Sequence, residues 1–62
     1  SMSANNQLLI TKREEKYVVT DIDVDTGSGY EVAVKDTLEE AIRSANRVME
    51  DVVVEYGLRV DI

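Results

Sequence analysis

Three aspartates at alternate positions and a glycine just after them are the residues best placed for chemistry: Asp21, Asp23, Asp25 and Gly27. Carboxylates that converge on one point can bind calcium, but an EF-hand loop also needs Gly at its sixth position and Glu at its twelfth. Counted from Asp21, those positions hold Thr26 and Val32. The apolar residues between the aspartates suit a strand better than an ion-binding loop. We therefore predict neither a metal site nor a cofactor.

The same three aspartates are predicted to project from one side of a strand. Alternate residues of a strand share a face and lie about 7 Å apart. That spacing resembles the spacing of successive phosphates along a nucleic-acid strand. A basic protein that handles nucleic acid could be attracted to such a row. The alternative is that the row is only the solvated face of an antiparallel sheet.

Catalysis is disfavoured because the chain contains no Cys and no His. Ser28, between Gly27 and Gly29, has no evident base to activate it. The segment also lacks the Lys of a P-loop and the spacing of a nucleophile elbow. A chain of 62 residues offers little room for an enclosed pocket. We predict that the protein is not an enzyme.

The charge of the chain indicates which partners it would avoid. The net charge is −6, whereas nucleic acid and anionic membranes bind clustered Lys and Arg. A basic protein is the better partner, although the charge could serve solubility alone. No apolar run approaches the roughly 18 residues of a membrane span. The absence of Cys fits a reducing compartment, so we expect a cytoplasmic protein.

The spacing of apolar residues along the chain predicts the fold: alternate positions indicate strands, and a 3.6-residue period indicates a helix. Strands are expected over residues 7–13, 16–25 and 30–35, with a turn at Glu14-Glu15 and a hairpin loop over 26–29. A helix follows and a last strand covers residues 58–62. The predicted class is α+β: an antiparallel sheet of three to four strands with one amphipathic helix packed on it, in the order β-β-β-α-β. Residues 1–6 are expected to be a disordered lead-in or tag remnant before a single domain over 7–62.

The helix is predicted to begin at Asp36, whose carboxylate caps it with Glu39 three residues later. Apolar residues at helical spacing form its inner stripe: Leu38, Ala41, Ile42, Ala45, Met49, Val52 and Tyr56. Gly57 is expected to end it. Val54 conflicts with this prediction, because it follows two other valines and lies opposite the stripe. Either the helix ends before Val54, or Val54 packs against a second surface, which would be another copy of the chain.

Three segments resemble HicB-like antitoxin domains. They are Tyr17–Val19, the turn from Asp25 to Tyr30, and the helix opening from Asp36 to Ile42. The resemblance implies a dimerising, partial RNase H-like fold that neutralises a small basic RNA-cleaving toxin. More faintly, six residues are similar to small phage inhibitors of uracil-DNA glycosylase that mimic DNA: Tyr17, Val19, Thr20, Asp25, Gly27 and Tyr30.

The leading hypothesis is an acidic, dimeric, non-enzymatic binding protein. It would inhibit or sequester a basic protein that handles nucleic acid, such as a nuclease, a toxin or a DNA-repair enzyme. Acids would supply the charge and tyrosines the anchors of the partner-binding set, which is Tyr17, Asp21, Asp23, Asp25, Tyr30 and Glu31. The alternative is a self-assembling structural or regulatory domain with an apolar interface between copies, through Leu9, Val54 or an exposed strand edge.

Overall fold

The computed structural model of the protein describes residues 4–50 and 53–62. Its elements are β1 (Ala4–Arg13), β2 (Lys16–Asp23), β3 (Gly29–Lys35), α1 (Leu38–Val48) and β4 (Val54–Asp61). The α+β class and the order β-β-β-α-β are therefore confirmed. The turn between β1 and β2 lies at Glu14-Glu15, as predicted, and Glu14 adopts a left-handed φ of 57°.

The four strands form one mixed sheet in the order β3-β2-β1-β4. β2 pairs antiparallel with both β1 and β3, but β4 pairs parallel with β1, from Ala4 opposite Val54 to Thr11 opposite Asp61. The prediction of an antiparallel sheet was wrong for this fourth strand. The reason is the helix: α1 carries the chain back along the sheet, so β4 runs in the same direction as β3 and β1.

The core lies between α1 and one face of the sheet. Five residues from both layers are fully buried there: Leu8, Ile10, Val19, Ala41 and Ala45. Ile10 lies directly opposite Val19 in the β1–β2 register, so the alternation of both strands places them on the face under the helix. Burying a side chain of this size stabilises a fold by about 1.5–3 kcal/mol. The helix therefore covers the face that also carries Tyr17, Asp21 and Asp23.

The helix begins one residue later than predicted. Thr37 is its N-cap: the Thr37 Oγ1 accepts a hydrogen bond from the Glu40 N–H at 3.1 Å and donates one to the Glu40 Oε1 at 3.0 Å. The cap is thus Thr37, with Glu40 as its partner three residues later, and the predicted pair of Asp36 with Glu39 was wrong. A hydroxyl can accept and donate at the same end of a helix, which a carboxylate cannot do. Asp36 instead forms an ion pair with Lys16.

The helix also ends earlier than predicted. It stops at Val48, and Met49 closes it with a hydrogen bond to the Ala45 carbonyl at 3.0 Å. Tyr56 and Gly57, predicted to finish the helix, belong to β4, whereas Val52 of the predicted stripe lies outside the described residues. Of the two alternatives for Val54, the first holds. Its strand preference is satisfied by pairing with β1.

Five strand bounds differ from the predicted ones. β3 begins at Gly29 and not at residue 30, β4 covers Val54–Asp61 and not residues 58–62, and β1 and β2 each differ at one end. β1 begins at Ala4, so residues 4–6 of the predicted lead-in are part of the sheet, where they pair with residues 54–56 of β4. β2 ends at Asp23 and not at Asp25. The chain turns there because the Gly27 N–H donates to the Asp23 carbonyl at 2.8 Å. The sheet ladder therefore stops in the middle of the aspartate row.

Candidate functional site

The aspartate row does not form one exposed stripe. Asp21 is only 2% exposed, Asp23 is half-buried and Asp25 is exposed. The sharing of one face is confirmed for Asp21 and Asp23, which both belong to β2. Because α1 covers that face, however, the row passes from the interior at one end to solvent at the other. The three side chains cannot act together on one partner.

Asp21 accepts hydrogen bonds from three side chains. The Asn6 Nδ2 donates to its Oδ1 at 2.6 Å. The hydroxyls of Tyr56 and Tyr30 donate to its Oδ2 at 3.1 Å and 3.5 Å. With Asp21 on β2, the four residues supply one side chain from each strand of the sheet. We call this cluster the Asp21 hub.

The register explains why the hub assembles. Asp21 lies opposite Tyr30 across β2 and β3, and Asn6 lies opposite Tyr56 across β1 and β4. A buried carboxylate is costly unless it is hydrogen-bonded, and the donors from three strands meet that need. In the described part of the chain, every buried side-chain nitrogen and oxygen has a hydrogen-bond partner. The hub thus joins the strands, and Asp21 does not present its charge to a partner.

The loop between β2 and β3 is the exposed end of the row, and we call residues 24–28 the hairpin tip. Hydrogen bonds within the loop hold its backbone. The Asp23 N–H donates to the Ser28 carbonyl at 2.8 Å, and the Asp25 N–H donates to the Asp23 Oδ1 at 2.9 Å. The Ser28 N–H donates to the Thr26 Oγ1 at 3.2 Å. Gly27 has a φ of 79°, which glycine adopts without strain. The tip therefore has a defined shape.

The hairpin tip presents apolar surface beside its charge. Val24 is exposed, and Tyr30, just beyond the tip, is 64% exposed although its hydroxyl reaches the hub. Asp25 is exposed between them in the sequence. The Val24 N–H donates to the Asn5 carbonyl at 3.2 Å, which fastens the tip to β1. One carboxylate and one exposed apolar side chain on a fixed loop, with an exposed tyrosine on the strand that follows, are an arrangement that suits protein contacts.

Glu31, another predicted partner-binding residue, is engaged within the molecule. Both of its carboxylate oxygens accept from Arg13, at 2.7 Å and 3.3 Å. The hydrogen bond from Arg13, together with the positive charge of Arg13, lowers the pKa of Glu31. The same hydrogen bond, together with the negative charge of Glu31, raises the pKa of Arg13. The charge of Glu31 is thus largely compensated by its neighbour. Its side chain remains partly accessible to solvent.

The Arg13–Glu31 bridge crosses the face of the sheet that the helix leaves uncovered. Arg13 lies opposite Lys16 on β2, and Glu31 lies opposite Thr20 on β2. The bridge therefore joins β1 to β3 across β2 at the level of Val18. Although Val18 belongs to the uncovered face, it is only 2% exposed.

Tyr17 lies away from the hairpin tip. It is half-buried and packs against the core, and the Lys12 Nζ lies 5.7 Å from the centre of its ring. Tyr17 is at the start of β2, whereas the tip follows the end of that strand. Of the six predicted partner-binding residues, the structure brings Asp23, Asp25 and Tyr30 near the tip. Tyr17, Asp21 and Glu31 are held in other contacts.

Leu9 and Val54, the predicted interface between copies, are not brought together. Leu9 is paired with Arg59 and so lies on the uncovered face. Val54 lies on the helix side of the sheet, as do the even-numbered residues of β4 that follow it. Both are half-buried. A single flat interface could not use both side chains.

β4 and the residue that follows it carry exposed apolar side chains along one edge of the sheet. Leu58, Val60 and Ile62 are between 39% and 63% exposed, because α1 packs against β1, β2 and β3. The alternation of this segment is visible in the sequence. Its position at the sheet edge is not, since that depends on the parallel pairing of β4 with β1.

Among residues 4–50 and 53–62, no group of His, Cys, Asp or Glu is arranged to hold a metal ion, and no pocket opens between them. The described helix is neither long nor apolar enough to cross a lipid bilayer. Comparison of the chain with known protein families, with curated proteins and with solved structures finds no match in any of the three. The hairpin tip and the β4 edge are the surfaces that remain as candidate functional sites.

Proposed function

We propose that the protein is an acidic, non-enzymatic binding protein that inhibits or sequesters a basic protein that handles nucleic acid. The observation that carries the proposal is the hairpin tip. Its backbone is fixed by internal hydrogen bonds, and it presents Asp25 and the exposed Val24, with the exposed Tyr30 just beyond it on β3. A loop that is already ordered loses less entropy when it binds.

Charge supports a basic partner. The net charge of −6 attracts a cationic protein over a distance and speeds association at low salt. Glu31, Asp36 and Glu39 are already paired with cations of the same chain. Asp25 makes its described hydrogen bond through its backbone N–H, so its carboxylate can meet a Lys or Arg of the partner.

The resemblances narrow the class of partner. The segments similar to HicB-like antitoxin domains form the β2–β3 hairpin and the start of α1, which favours a small basic RNA-cleaving toxin in the cytoplasm. The fainter similarity to inhibitors of uracil-DNA glycosylase favours a DNA-repair enzyme. Both are enzymes whose substrate sites are built to hold phosphates, so an acidic inhibitor would bind where the nucleic acid binds.

The test is capture of partners from native host lysate at low and at high salt, with the bound proteins identified by mass. We expect a basic nuclease, toxin or glycosylase that is retained only at low salt. Asp25→Lys should abolish this capture, while Glu15→Lys, the same charge change in the exposed turn at the other end of β2, should keep most of it. Equal losses of capture in both variants would show that binding depends on the net charge of the protein and not on Asp25. Unchanged capture by Asp25→Lys would exclude the hairpin tip.

A second candidate function is self-assembly through an apolar interface between copies. The observation that favours it is the β4 edge, where Leu58, Val60 and Ile62 are exposed. Apolar association survives high salt, whereas the electrostatic complex weakens steeply. Recovery of the protein alone at both salt concentrations would support this second function over the first.

A further inference from the structure

Tyr30 is an exposed aromatic side chain that leans across the sheet on its helix side. It lies opposite Asp21 in the β2–β3 register, and its hydroxyl reaches the Asp21 Oδ2 at 3.5 Å. The ring therefore extends from β3 towards β2, while most of the residue stays exposed to solvent. A ring that is held at its hydroxyl and open on its face offers a partner a defined surface for stacking.

Asp23 is the neighbour of Tyr30 on the open side of the ring. On β2, Val19 comes two residues before Asp21 and Asp23 two residues after it, so all three share the helix side. Val19 is fully buried in the core beneath α1, whereas Asp23 is half-buried. The cover of the helix thus becomes thinner from Val19 towards Asp23. Diagonal positions on neighbouring strands lie about 7–8 Å apart, so the Asp23 carboxylate is within reach of a group stacked on the Tyr30 ring.

The Asp23 carboxylate has one oxygen to offer a cation. Its Oδ1 accepts a hydrogen bond from the Asp25 N–H at 2.9 Å, whereas its Oδ2 accepts none in the described part of the chain. Asn6 lies opposite Asp23 across β1, but its amide donates to Asp21. The ion pairs among the described residues do not include Asp23. This oxygen therefore lies beside the exposed ring without an ion pair within the described chain.

We propose that Tyr30 and Asp23 receive one arginine side chain of the partner, with its guanidinium group stacked on the Tyr30 ring and hydrogen-bonded to the Asp23 Oδ2. This inference names a group that the basic partner inserts, and so it rests on the proposed function. A guanidinium group is planar, stays charged and stacks on aromatic rings, whereas the lysine ammonium is a compact and strongly hydrated charge. A cation over a ring face is attracted to it, and a charged hydrogen bond to a carboxylate adds to this attraction.

The two ends of the sheet differ in charge, and the end that carries Tyr30 is the one that favours a cation. Asp25 is exposed two residues beyond Asp23. α1 follows β3 and carries the chain back along the sheet, so its carbonyl end, which bears partial negative charge, points to this same end. Four of the seven cations of the chain lie at the opposite end, where β1 and β3 finish and β2 begins: Lys12, Arg13, Lys16 and Lys35.

Titration of the full chain with two short peptides tests the site. The probes are acetyl-Gly-Arg-Gly-amide and acetyl-Gly-Lys-Gly-amide, and NMR follows the ring signals of Tyr30 and the amide signal of Asp23. We expect the arginine peptide to bind about threefold more tightly than the lysine peptide, because only the guanidinium group stacks flat on the ring. Tyr17 provides an internal control, since its ring lies at the other end of β2 and its signals should not move.

Four variants separate the ring, the carboxylate and the general charge. Asp23→Asn keeps an Oδ1 that can accept from the Asp25 N–H, so the turn is retained while the charge is lost. Tyr30→Leu keeps an apolar side chain but removes the ring. Each should weaken binding of the arginine peptide by about threefold or more. Tyr30→Phe keeps the ring and should lose less than Tyr30→Leu. Asp25→Asn is the matched control, because it makes the same charge change outside the site, and it should stay within about twofold of the parent. Circular dichroism verifies that each variant is folded.

The outcomes separate the site from the function on which it rests. Arginine selectivity that is lost in Asp23→Asn and in Tyr30→Leu supports the site. Equal binding of the two peptides overturns it, as does an equal loss in Asp25→Asn and Asp23→Asn, since binding would then follow charge alone. Equal losses in Tyr30→Phe and Tyr30→Leu overturn the stacking contact. The capture from lysate tests the function separately: a captured basic partner without arginine selectivity overturns the site alone, and arginine selectivity without such a partner supports the site and overturns the function.

Discussion

Asp21 and Asp25 stand four positions apart in one alternating row, yet they lie in opposite environments. Asp21 is buried under the helix face and accepts hydrogen bonds from three other strands. Asp25 lies on the hairpin tip, beyond the last paired residue of β2. Strand pairing and the cover of α1, and not the residue type, decide which carboxylate holds the fold together. The other carboxylate, that of Asp25, is exposed to solvent.

The largest expected effect is that of Asp21→Ala. It removes the acceptor of Asn6, Tyr30 and Tyr56, so we expect the free energy of unfolding to fall by about 3 kcal/mol. Asp25→Ala should change it by less than about 0.5 kcal/mol, as is usual for an exposed residue. Urea unfolding measures both. Equal effects would show that the two carboxylates do not differ as the structure indicates.

Gly29→Ala should have the next largest effect, because Gly29 lies opposite Ile22 at the start of β3, where there is no room for a side chain. A Cβ there would lie 3.0 Å from the Asp21 carbonyl oxygen and 3.1 Å from the Ile22 Cγ1. Overpacking of this kind costs about 1–3 kcal/mol. Gly57→Ala is the control, since nothing lies within 4 Å of its Cβ position. Thermal unfolding should separate them, and a neutral Gly29→Ala would contradict the close approach.

At the start of the helix, Thr37 and Asp36 show the same contrast between a side chain that stabilises the fold and an exposed one that contributes less. Thr37→Ala removes the N-cap hydrogen bond to Glu40 and should lower the free energy of unfolding by about 1 kcal/mol. Asp36→Ala removes an ion pair between exposed side chains, where the expected change is well below that of the cap. Guanidinium unfolding of both variants checks the order. A larger effect at Asp36 would restore Asp36 as the cap.

The smallest effect concerns the Arg13–Glu31 bridge and its dependence on pH. The hydrogen bond and charge of Arg13 hold the pKa of Glu31 below its usual value of 4.5. The carboxylate is thus ionised more readily in the folded protein than in the unfolded chain. Its contribution to the free energy of unfolding is complete above pH 4.5, and it is lost as the pH falls through the lower pKa of the folded state. Glu31→Gln should therefore lose less thermal stability than the parent between pH 5 and pH 3. Parallel pH profiles would contradict the bridge.

The local parts of the fold could be predicted from the sequence, and the long-range parts could not. The alternation of residues 16–23 and the turn at Glu14-Glu15 depend on neighbours in the chain, and both were predicted. Tyr56 fits a helical stripe and a strand equally well. It is placed by the pairing of β4 with β1, which brings together residues such as Ala4 and Val54, fifty positions apart. No local pattern contains that information.

The candidate site likewise has a local part that could be predicted from the sequence and a long-range part that could not. The hairpin tip was predicted from Gly27 and its neighbours, because turns are local. The burial of Asp21 depends on which face α1 covers, and the alternation of β2 alone leaves both faces possible. Asn6 and Tyr56 gave a signal only in retrospect: Asn6 is a polar group on the same face as Leu8 and Ile10, and Tyr56 carries a hydroxyl between Val54 and Leu58. Their meeting requires the sheet order, which is a property of the whole chain.

The parallel pairing of β1 with β4 also has a consequence for how the chain folds. β1, β2 and β3 are joined by short turns, whereas β4 reaches β1 only after a long loop of chain is closed, at a higher entropic cost. We expect β4 to dock last and to detach first. Native-state hydrogen exchange should then show β4 amides opening at lower free energy than those of β2. A detached β4 would also withdraw Tyr56 from Asp21, so the last step of folding completes the hydrogen bonding of the buried carboxylate.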